Sequence, residues 1–269
     1  MSSPQLRVQR VRHETRRRIV QVDHVEVLTP KMRRVVFRGE ELSDFVSAAH
    51  DDHVKLFFPR PGQESLMPSA LQSGLPGSQH TEQLIARDFT PRSFNPETRT
   101  LAIDFVLHGE GPACQWAAQA EPGQWLGVGG PRSSFIVSDL LDWYLLAGDE
   151  TALPAIARRL EELSAGVKVV AVIEVSDTAE EQPLRSSAAL DLVWVHRNES
   201  ATSDPSALIS AVTRITLPPG EGYAWVAAEA ATSRRLRESL LQRGLSRECV
   251  RAAAYWKSGA VAVHETYGD

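Results

Sequence analysis

Residues 142–163, DWYLLAGDETALPAIARRLEEL, decide the fold of the second half of the chain. The apolar run 142–147 is typical of a buried strand, Gly148-Asp149-Glu150 breaks it, and 151–163 has a helical pattern. The same rhythm continues downstream, with predicted strands at 168–175, 191–196, 223–228 and 250–256 and predicted helices at 205–213 and 230–243. Strands that alternate with helices favour βαβ units and a parallel sheet.

The first half of the chain instead predicts β-structure. Runs rich in β-branched and aromatic residues lie at 18–28, 32–38, 53–58, 84–90, 99–107 and 124–129, with one short helix at 112–120. Residues 60–82 form a long Gly/Pro/Ser/Gln stretch without periodicity, the kind of loop that is often functional or mobile. The sequence therefore predicts a β barrel joined to an open α/β sheet.

Composition restricts the class of protein. The chain has 269 residues, 42% hydrophobic and 23% charged, with a net charge of -5, which argues against a general nucleic-acid binder. A basic run, Arg7 to Arg18, could steer an anionic ligand but is interpreted as a solvated, frayed terminus. No apolar leader or membrane-length run is present, so we expect a cytoplasmic protein.

Two nucleotide-binding fingerprints are missing from the sequence. There is no Walker A pattern, and Gly127-Val128-Gly129-Gly130 begins a GxGxxG motif that fails because Arg132 stands where the third glycine is required. A different anion site is indicated where strand 101–107 runs through Gly109 and Gly111 into Pro112, which suits the first position of a helix.

Metal and disulfide sites are not predicted. Cys114 and Cys249 are far apart and form no CxxC pair, and Cys114 is interpreted as a small buried hydrophobe. The cluster His50-Asp51-Asp52-His53 could suggest a metal site, but its side chains alternate at the edge of a strand and do not converge.

Long ordered motifs carry a resemblance to a known family. The segment Arg87-Asp88-Phe89-Thr90-Pro91-Arg92, the later block DFVLHGEGPACQWAA and the turn GPRSS resemble the FAD-binding half of the siderophore-interacting proteins. LLAGDETALPAI (145–156), AWVAAEA (224–230) and AAAYWKSG (252–259) resemble their second half. The resemblance implies a ferredoxin-reductase-like architecture, with an antiparallel FAD-binding β barrel at 15–138 and a parallel-sheet NAD(P)H-binding α/β domain at 139–269.

The resemblance also implies which residues hold FAD. Arg87 and Arg92 are expected to bind the pyrophosphate as planar donor forks, and Phe89 to stack on the isoalloxazine ring. Further cofactor-binding candidates in this half are Asp88, Thr90, Asp104, Phe105, Val106, His108, Gly111, Pro112 and Ala113. The family usually has tyrosine where this chain has Phe89, so the hydroxyl's hydrogen bond to the flavin is lost. A core role for Phe89 is the alternative.

In the second half, the resemblance places the nicotinamide site at the strand-to-helix turn 148–152. The candidates there are Asp149, Thr151, Ala152 and Glu229, with Tyr255 and Trp256 covering the other face of the flavin. Ala228 stands where many members have glycine, which narrows the space near the nicotinamide. For NADPH, the candidates that meet the 2′-phosphate are Arg197, Arg234 and Arg235, each of which could also be simply solvated.

The expected activity is electron transfer from NADH, NADPH or a ferredoxin through FAD to a ferric siderophore, with release of Fe(II). Lys55, Arg132 and Lys257 resemble the family's substrate-side positions and would face an anionic substrate. No catalytic side chain is required, and we expect a monomer. The alternatives are a general NAD(P)H:flavin or ferredoxin-type oxidoreductase and a non-catalytic siderophore-binding protein.

Overall fold

The structure is a computed structural model that describes residues 8–60, 84–109, 111–198, 204–259 and 265–267. The predicted loop 60–82 therefore lies almost wholly outside the described residues. The chain divides into two compact units, one formed by Arg10–Ile136 and the other mainly by Val137–Asp269.

The first unit consists almost entirely of strands. Its elements, with the strands that border it, are β1 (Val8–Arg12), β2 (Arg17–Thr29), β3 (Met32–Arg38), a 3-10 helix (Glu40–Leu42), β4 (Val54–Phe58), β5 (Ile85–Phe89), β6 (Pro91–Asn95), β7 (Thr100–Val106), α1 (Pro112–Ala118), β8 (Trp125–Gly129) and β9 (Ser133–Val137).

Seven of these strands form one antiparallel sheet in the order β5-β4-β8-β2-β3-β7-β6, and β1 pairs separately with β9. The two edge strands, β5 and β6, follow each other in the chain with only Thr90 between them. Because the opposite edges of the sheet meet at one residue, the sheet must curl into a barrel. The predicted β barrel is confirmed, as a curled sheet of seven antiparallel strands.

Aromatic side chains fill the interior of the barrel. Phe37, Phe58 and Phe105 are fully buried, and Trp116 from α1 packs among them, with its ring 5.6 Å from that of Phe58 and 5.9 Å from that of Phe105. Burying each such ring contributes on the order of 1.5–3 kcal/mol. The helix α1 is thus fixed to the barrel by its only tryptophan.

Part of the basic start of the chain is ordered in strands: β1 pairs with β9, and Arg17 and Arg18 begin the barrel strand β2. Arg18 is buried and its guanidinium lies 2.9 Å from the carboxylate of Asp44, while the guanidinium of Arg17 lies 3.8 Å above the ring of Phe57. The interpretation of this run as a frayed terminus was therefore wrong for the strand residues, and its interpretation as solvated was wrong for Arg17 and Arg18. Arg10, Arg12 and Arg16 are exposed, as expected.

The second unit alternates strands and helices. Its elements are β10 (Trp143–Gly148), α2 (Leu153–Glu162), β11 (Lys168–Val175), a 3-10 helix (Thr178–Glu180), β12 (Ala189–His196), α3 (Ser206–Arg214), β13 (Gly222–Glu229), α4 (Ala230–Gln242), a 3-10 helix (Arg247–Cys249), β14 (Val250–Trp256) and β15 (Glu265–Tyr267). Five parallel strands have the order β12-β11-β10-β13-β14, and β15 adds an antiparallel edge. The predicted parallel sheet is confirmed.

Gly148 is required by the tight packing at the end of β10. A Cβ atom at this position would lie 2.3 Å from the carbonyl oxygen of Ala227 on β13 and 2.5 Å from Cβ of Ala152. Strands β10 and β13 are buried along their whole length, as is typical of a parallel sheet covered by helices. The carboxyl ends of β10 to β14 therefore lie at one edge of the sheet, where the turn after Gly148 begins.

Within the described ranges, no helix has the length and apolar character needed to cross a membrane.

Candidate cofactor and substrate sites

The motif around β5 presents its residues on two faces of the barrel sheet. The register pairs Leu56 with Arg87 and Lys55 with Asp88. Because neighbouring side chains of a strand point to opposite faces, Arg87 lies on the face of the buried Leu56, and Asp88 lies on the outer face. There the carboxylate of Asp88 accepts hydrogen bonds of 2.9 and 3.0 Å from Nζ of Lys55. Asp88 is therefore separated from Arg87 by the sheet.

Phe89 lies at the margin of the aromatic interior. Its ring centroid is 4.5 Å from that of Phe105 and 5.9 Å from that of Phe58. It is half-buried, whereas both of its neighbours are fully buried. The ring thus contributes to the core and retains exposed surface that a planar ligand could contact.

A buried carboxylate lies close to Arg92. Asp104 accepts hydrogen bonds of 2.7 and 2.8 Å from Arg34 on the neighbouring strand, and its Oδ2 lies 3.8 Å from Nε of Arg92. Arg92 is buried, as is Thr90 before it. The side chain of Asp104 therefore holds Arg34 by two hydrogen bonds and lies at ion-pair distance from Arg92, and its backbone remains as a contact for a cofactor.

The edge of β7 and the start of α1 form an open cradle. Strand β6 pairs with β7 only up to Ile103, so residues 104–106 extend beyond it with no paired strand on that side in the described part of the chain. Added Cβ atoms at Gly109 and Gly111 would meet nothing within 4 Å. Gly111 precedes α1 in an extended conformation, Pro112 follows as the first helical residue, and no side chain caps the helix.

These features fit the phosphate groups of FAD. Backbone amides at a strand edge and a helix start that have no partner among the described residues, together with two guanidinium groups, are donors that bind phosphate oxygens. Ala113 and the exposed His108 border the same turn. Burial raises the pKa of the Cys114 thiol, which agrees with its interpretation as an unreactive hydrophobe.

The cluster at 50–53 has a structural role. Oδ2 of the buried Asp52 accepts hydrogen bonds from the hydroxyls of Ser47 and Ser134, at 2.9 and 2.8 Å, and from the backbone amides of Ala48 and Ala49. Ser134 in turn lies 2.7 Å from Nε2 of His13. The carboxylate thus ties a loop to β9, and the described ranges contain no group of side chains that could hold a metal ion.

Asp149 is the centre of the second candidate site, at the carboxyl edge of the parallel sheet. Its Oδ1 accepts hydrogen bonds from the amide and the hydroxyl of Thr151, at 3.0 and 2.5 Å. Its Oδ2 accepts from the indole Nε1 of Trp256 at 2.8 Å and from the amide of Glu229 at 3.2 Å. Burial, reinforced by the charge of Glu150, raises the pKa of Asp149 to about 6. The structure thus brings together Asp149, Thr151, Glu229 and Trp256.

Glu229 and Ala152 have structural contacts at this edge. The buried carboxylate of Glu229 caps α4 by accepting hydrogen bonds from the amides of Ala231 and Thr232, and it also accepts from the amide of Ser258 at 3.3 Å. Ala152 is buried at the start of α2. Neither presents its side chain to a ligand.

Tyr255 packs against a buried aromatic ring of the same sheet. Its ring is 6.0 Å from that of the buried Trp225 and nearly perpendicular to it. The pairing of β13 with β14 shifts its register at this point, where Ala228 pairs with Ala254 and Glu229 pairs with Trp256. The structure brings only Trp256 to Asp149.

A buried ion-pair cluster removes Arg197 from the candidates for the 2′-phosphate. Both terminal nitrogens of Arg197 lie 2.6 Å from the carboxylate oxygens of Glu150, and Nη1 lies 3.2 Å from Oε1 of Glu174. Arg197 and Glu174 are buried. Burial raises the pKa of Glu174 to about 7 despite the opposing effect of Arg197. No local sequence pattern indicates this cluster, because Glu174 and Glu150 lie 23 and 47 residues before Arg197.

The remaining charged candidates are accessible. Arg234 and Arg235 are exposed on α4, and Arg132 and Lys257 are exposed beside β9 and β14. The side chain of Lys55 is 51% exposed, although it forms an ion pair with Asp88. Each of these cations can therefore meet an anionic ligand from solvent.

The comparisons with known proteins match both halves of the chain. The family model for the siderophore-interacting FAD-binding domain matches residues 21–135, and the model for the siderophore-interacting protein matches 141–259. The chain is 34% identical over 251 residues to the NADPH-dependent ferric-chelate reductase of Escherichia coli (strain K12), covering 92% of this chain and 96% of the relative.

A Vibrio cholerae protein, the ferric vibriobactin reductase ViuB, is 28% identical over 236 residues, or 86% of each chain. Among solved structures, a siderophore utilization protein from T. fusca matches with a TM-score of 0.84 and 36% identity, covering 95% of this chain and 98% of that one.

A FAD-binding barrel followed by a parallel α/β sheet defines a flavoprotein of the ferredoxin-reductase-like class. Within that class, the chain belongs to the siderophore-interacting protein family.

Proposed function

We propose that this protein is an FAD-dependent reductase that transfers electrons from NAD(P)H to ferric siderophores and releases Fe(II). The observation that carries the proposal is the match of both family models in sequence along the chain, together with 34% identity to a ferric-chelate reductase over nearly its whole length. The relative is named for NADPH, which makes NADPH the first donor to test.

The unit formed by Arg10–Ile136 is proposed to hold FAD. Arg87 and Arg92 would bind the pyrophosphate, and the unpaired edge of residues 104–106 and the turn at 111–113 would bind phosphate and adenine through backbone groups. Phe89 would contact the isoalloxazine ring with its exposed surface. Asp88 is left out of this set because it lies on the outer face with Lys55. Bound FAD would supply the conversion between two-electron donation by NAD(P)H and one-electron reduction of Fe(III).

The second unit, proposed to span 139–269, would bind the nicotinamide nucleotide at the carboxyl edge of its sheet. Such edges are the ligand sites of open α/β folds. Thr151 and Trp256 have partly exposed side chains there. Arg234 and Arg235 remain the candidates for the 2′-phosphate of NADPH, because Arg197 is saturated by Glu150 and Glu174.

The substrate is proposed to be an anionic ferric siderophore that meets Lys55, Arg132 and Lys257. These side chains attract an anion and hold it without a covalent step. Fe(II) is a softer and less charged ion than Fe(III), so its reduction weakens the hold of hard oxygen donors and releases the metal. We further propose that the protein acts as a monomer in the cytoplasm and that a ferredoxin can replace NAD(P)H as the electron donor.

The first experiment is the visible absorption spectrum of the purified protein, followed by anaerobic addition of NADPH or NADH. We expect the bands of oxidised flavin, bleached by one of the nucleotides. If flavin bands are present but neither nucleotide bleaches them, a ferredoxin would be the electron donor. A colourless protein that cannot be loaded with FAD would contradict the reductase and favour a siderophore-binding protein.

Substrate choice is tested by comparing kcat/KM for ferric siderophores, simple iron chelates and free flavins. A clear preference for ferric siderophores supports the proposal. Equal rates on all acceptors would identify a general flavin or ferredoxin-type oxidoreductase.

A further inference from the structure

Asp149 is buried and its two oxygens accept four hydrogen bonds. The donors come from the turn after β10, from the end of β13 and from the end of β14. One side chain thus joins three strand ends at the edge where the nicotinamide nucleotide is proposed to bind. Only 4% of Asp149 is exposed, so a ligand cannot reach its carboxylate.

Two partly exposed residues at this edge are held by Asp149. Trp256 and Thr151 are both partly exposed, and each donates a hydrogen bond to the Asp149 carboxylate. The Thr151 hydroxyl has a single proton, and at 2.5 Å from Oδ1 that proton is committed to Asp149. The lone pairs of the hydroxyl are therefore the groups available to a ligand, and they suit an N–H donor such as the carboxamide of nicotinamide.

We propose that Asp149 is the positioning residue of the nicotinamide site, which orients the indole of Trp256 as a fixed wall and turns the hydroxyl of Thr151 into a hydrogen-bond acceptor. The inference rests on the proposed function, since it assigns the nicotinamide nucleotide to this edge. Asp149 acts through its two neighbours and does not touch the ligand.

A carboxylate is the side chain that can perform this task. Each of its oxygens faces two donors, one pair from Thr151 and the other from Trp256 and Glu229. Asparagine has the same shape, but its amide nitrogen cannot accept a hydrogen bond. In Asp149→Asn, one pair of donors must lose its acceptor whichever way the amide is turned.

The matched control is Asp142→Asn at the opposite end of β10. Asp142 is exposed, and its Oδ2 accepts a hydrogen bond of 2.7 Å from the amide of Glu221. The same chemical change is thus made next to the same strand, at the edge of the sheet that lacks the candidate site.

The first measurement is the indole N–H spectrum of ¹⁵N-tryptophan-labelled protein without nucleotide, in which Trp256→Phe assigns the Trp256 signal. We expect Asp149→Asn to shift this signal and to speed its exchange with water, and Asp142→Asn to leave it unchanged. If Asp149→Asn does not fold, Thr151→Val provides the same test, because it removes a donor to the same carboxylate and should also shift the signal. An indole signal that neither variant moves overturns the inference.

The second measurement is a double-mutant cycle on NADPH binding and kcat/KM. The loss of a hydrogen bond to a charged group corresponds to about a tenfold effect or more, so Asp149→Asn and Trp256→Phe should each lower kcat/KM by about tenfold. The double variant should be less impaired than the sum of the two single losses predicts, because both changes act on the bond between Asp149 and the Trp256 indole. Thr151→Ser, which keeps the hydroxyl, should be less impaired than Thr151→Val.

Additive losses in the cycle, or wild-type values in Asp149→Asn, would overturn the positioning role. A wild-type protein that neither binds nor oxidises NADPH or NADH would instead contradict the nicotinamide part of the proposed function. The indole measurement needs no nucleotide, so the two failures can be told apart.

Discussion

Three buried aspartates organise the parts of the molecule that sequence motifs mark as functional. Asp52 holds a loop against Ser134, Asp104 holds Arg34 and lies close to Arg92, and Asp149 joins three strand ends. Each carboxylate is desolvated, and each regains favourable interactions only through several donors at once. Removing one of these side chains therefore affects several segments, and loss of activity alone does not identify a residue that touches the ligand.

Phe89 provides the first test at the scale of a residue. Its ring already contacts Phe105 and Phe58, so Phe89→Tyr adds only a hydroxyl to a packed and half-exposed side chain. One added hydrogen bond contributes about 0.5–1.5 kcal/mol, or an about two- to tenfold lower Kd for FAD. Titration of the apoprotein with FAD and measurement of the flavin reduction potential determine the effect.

The control is Phe94→Tyr, the same change on a barrel strand that has no residue assigned to FAD, and it should leave the Kd for FAD unchanged. Equal FAD affinity in all three proteins would exclude a flavin contact by Phe89.

At the scale of elements, the carboxyl edge of the parallel sheet concentrates negative charge. Asp149 and Glu150 follow β10, Glu174 lies near the end of β11, and Arg197 from the end of β12 is their buried counter-charge. One guanidinium does not offset three carboxylates, and the pKa of both Asp149 and Glu174 is raised. Oε2 of Glu174 also has no hydrogen-bond partner among the described residues.

Glu174→Gln should flatten the dependence of stability on pH. The pKa of Glu174 rises from 4.5 to about 7 on folding, so the native state holds a proton that the unfolded chain releases. The contribution of Glu174 to the free energy of unfolding is therefore greatest below pH 4.5. It is lost as the pH rises through about 7, and the loss is on the order of 3 kcal/mol. Gln mimics the protonated form and should remove that part of the fall.

Denaturant unfolding between about pH 5 and pH 8 measures this effect. Asp149, Glu150 and Arg197 face Glu174 and are present in both proteins, so the difference between the two curves reports Glu174. Glu162→Gln is the control, because Glu162 pairs with Arg158 at the surface of α2 and should leave the curve unchanged. Parallel curves for wild type and Glu174→Gln would show that Glu174 stays ionised throughout.

Gly148→Ala should destabilise the second unit. The new Cβ would lie 2.3 Å from the backbone oxygen of Ala227, so β10 or β13 must shift. Overpacking of this kind costs about 1–3 kcal/mol. Chemical denaturation and hydrogen exchange of the β10 and β13 amides measure the loss. Gly111→Ala, where the added Cβ meets nothing within 4 Å, should have little effect on stability without FAD. Unchanged protection of β10 in Gly148→Ala would contradict the close approach.

The sequence predicts the strands of both units wherever a run of apolar residues, or an alternation of apolar and polar residues, spans most of the strand. Strands β6 and β9 were missed because each is a five-residue segment next to a proline-containing turn, and β1 was missed because its arginines mask a pairing with β9. At the site, the motif residues were predictable but their contacts were not. The bond from Trp256 to Asp149 spans 107 residues, and no local pattern encodes it.

At the scale of the whole molecule, charge opposes the proposed substrate. The net charge of -5 would repel an anionic ferric siderophore at a distance. The proposed substrate cations are exposed but few, and Lys55 is already paired with Asp88. Attraction by these cations acts only within about one Debye length, on the order of 10 Å at 0.1 M salt. Added salt screens both interactions. If the net charge dominates, salt should raise kcat/KM for the anionic substrate, and if the local cations dominate, salt should lower it.

If the local cations govern recognition, kcat/KM for an anionic ferric siderophore should fall as NaCl rises from about 0.02 to 0.5 M, since screening weakens their attraction. Lys55→Ala and Lys257→Ala should each make this fall shallower and raise KM while FAD stays bound. Asp88→Asn should make the fall of kcat/KM with salt steeper. The substitution removes the ion-pair partner of Lys55 and leaves all three substrate-side cations in place. A rise of kcat/KM with salt would mean that the net charge of the molecule dominates, and the assignment of Lys55 and Lys257 to the substrate would then be wrong.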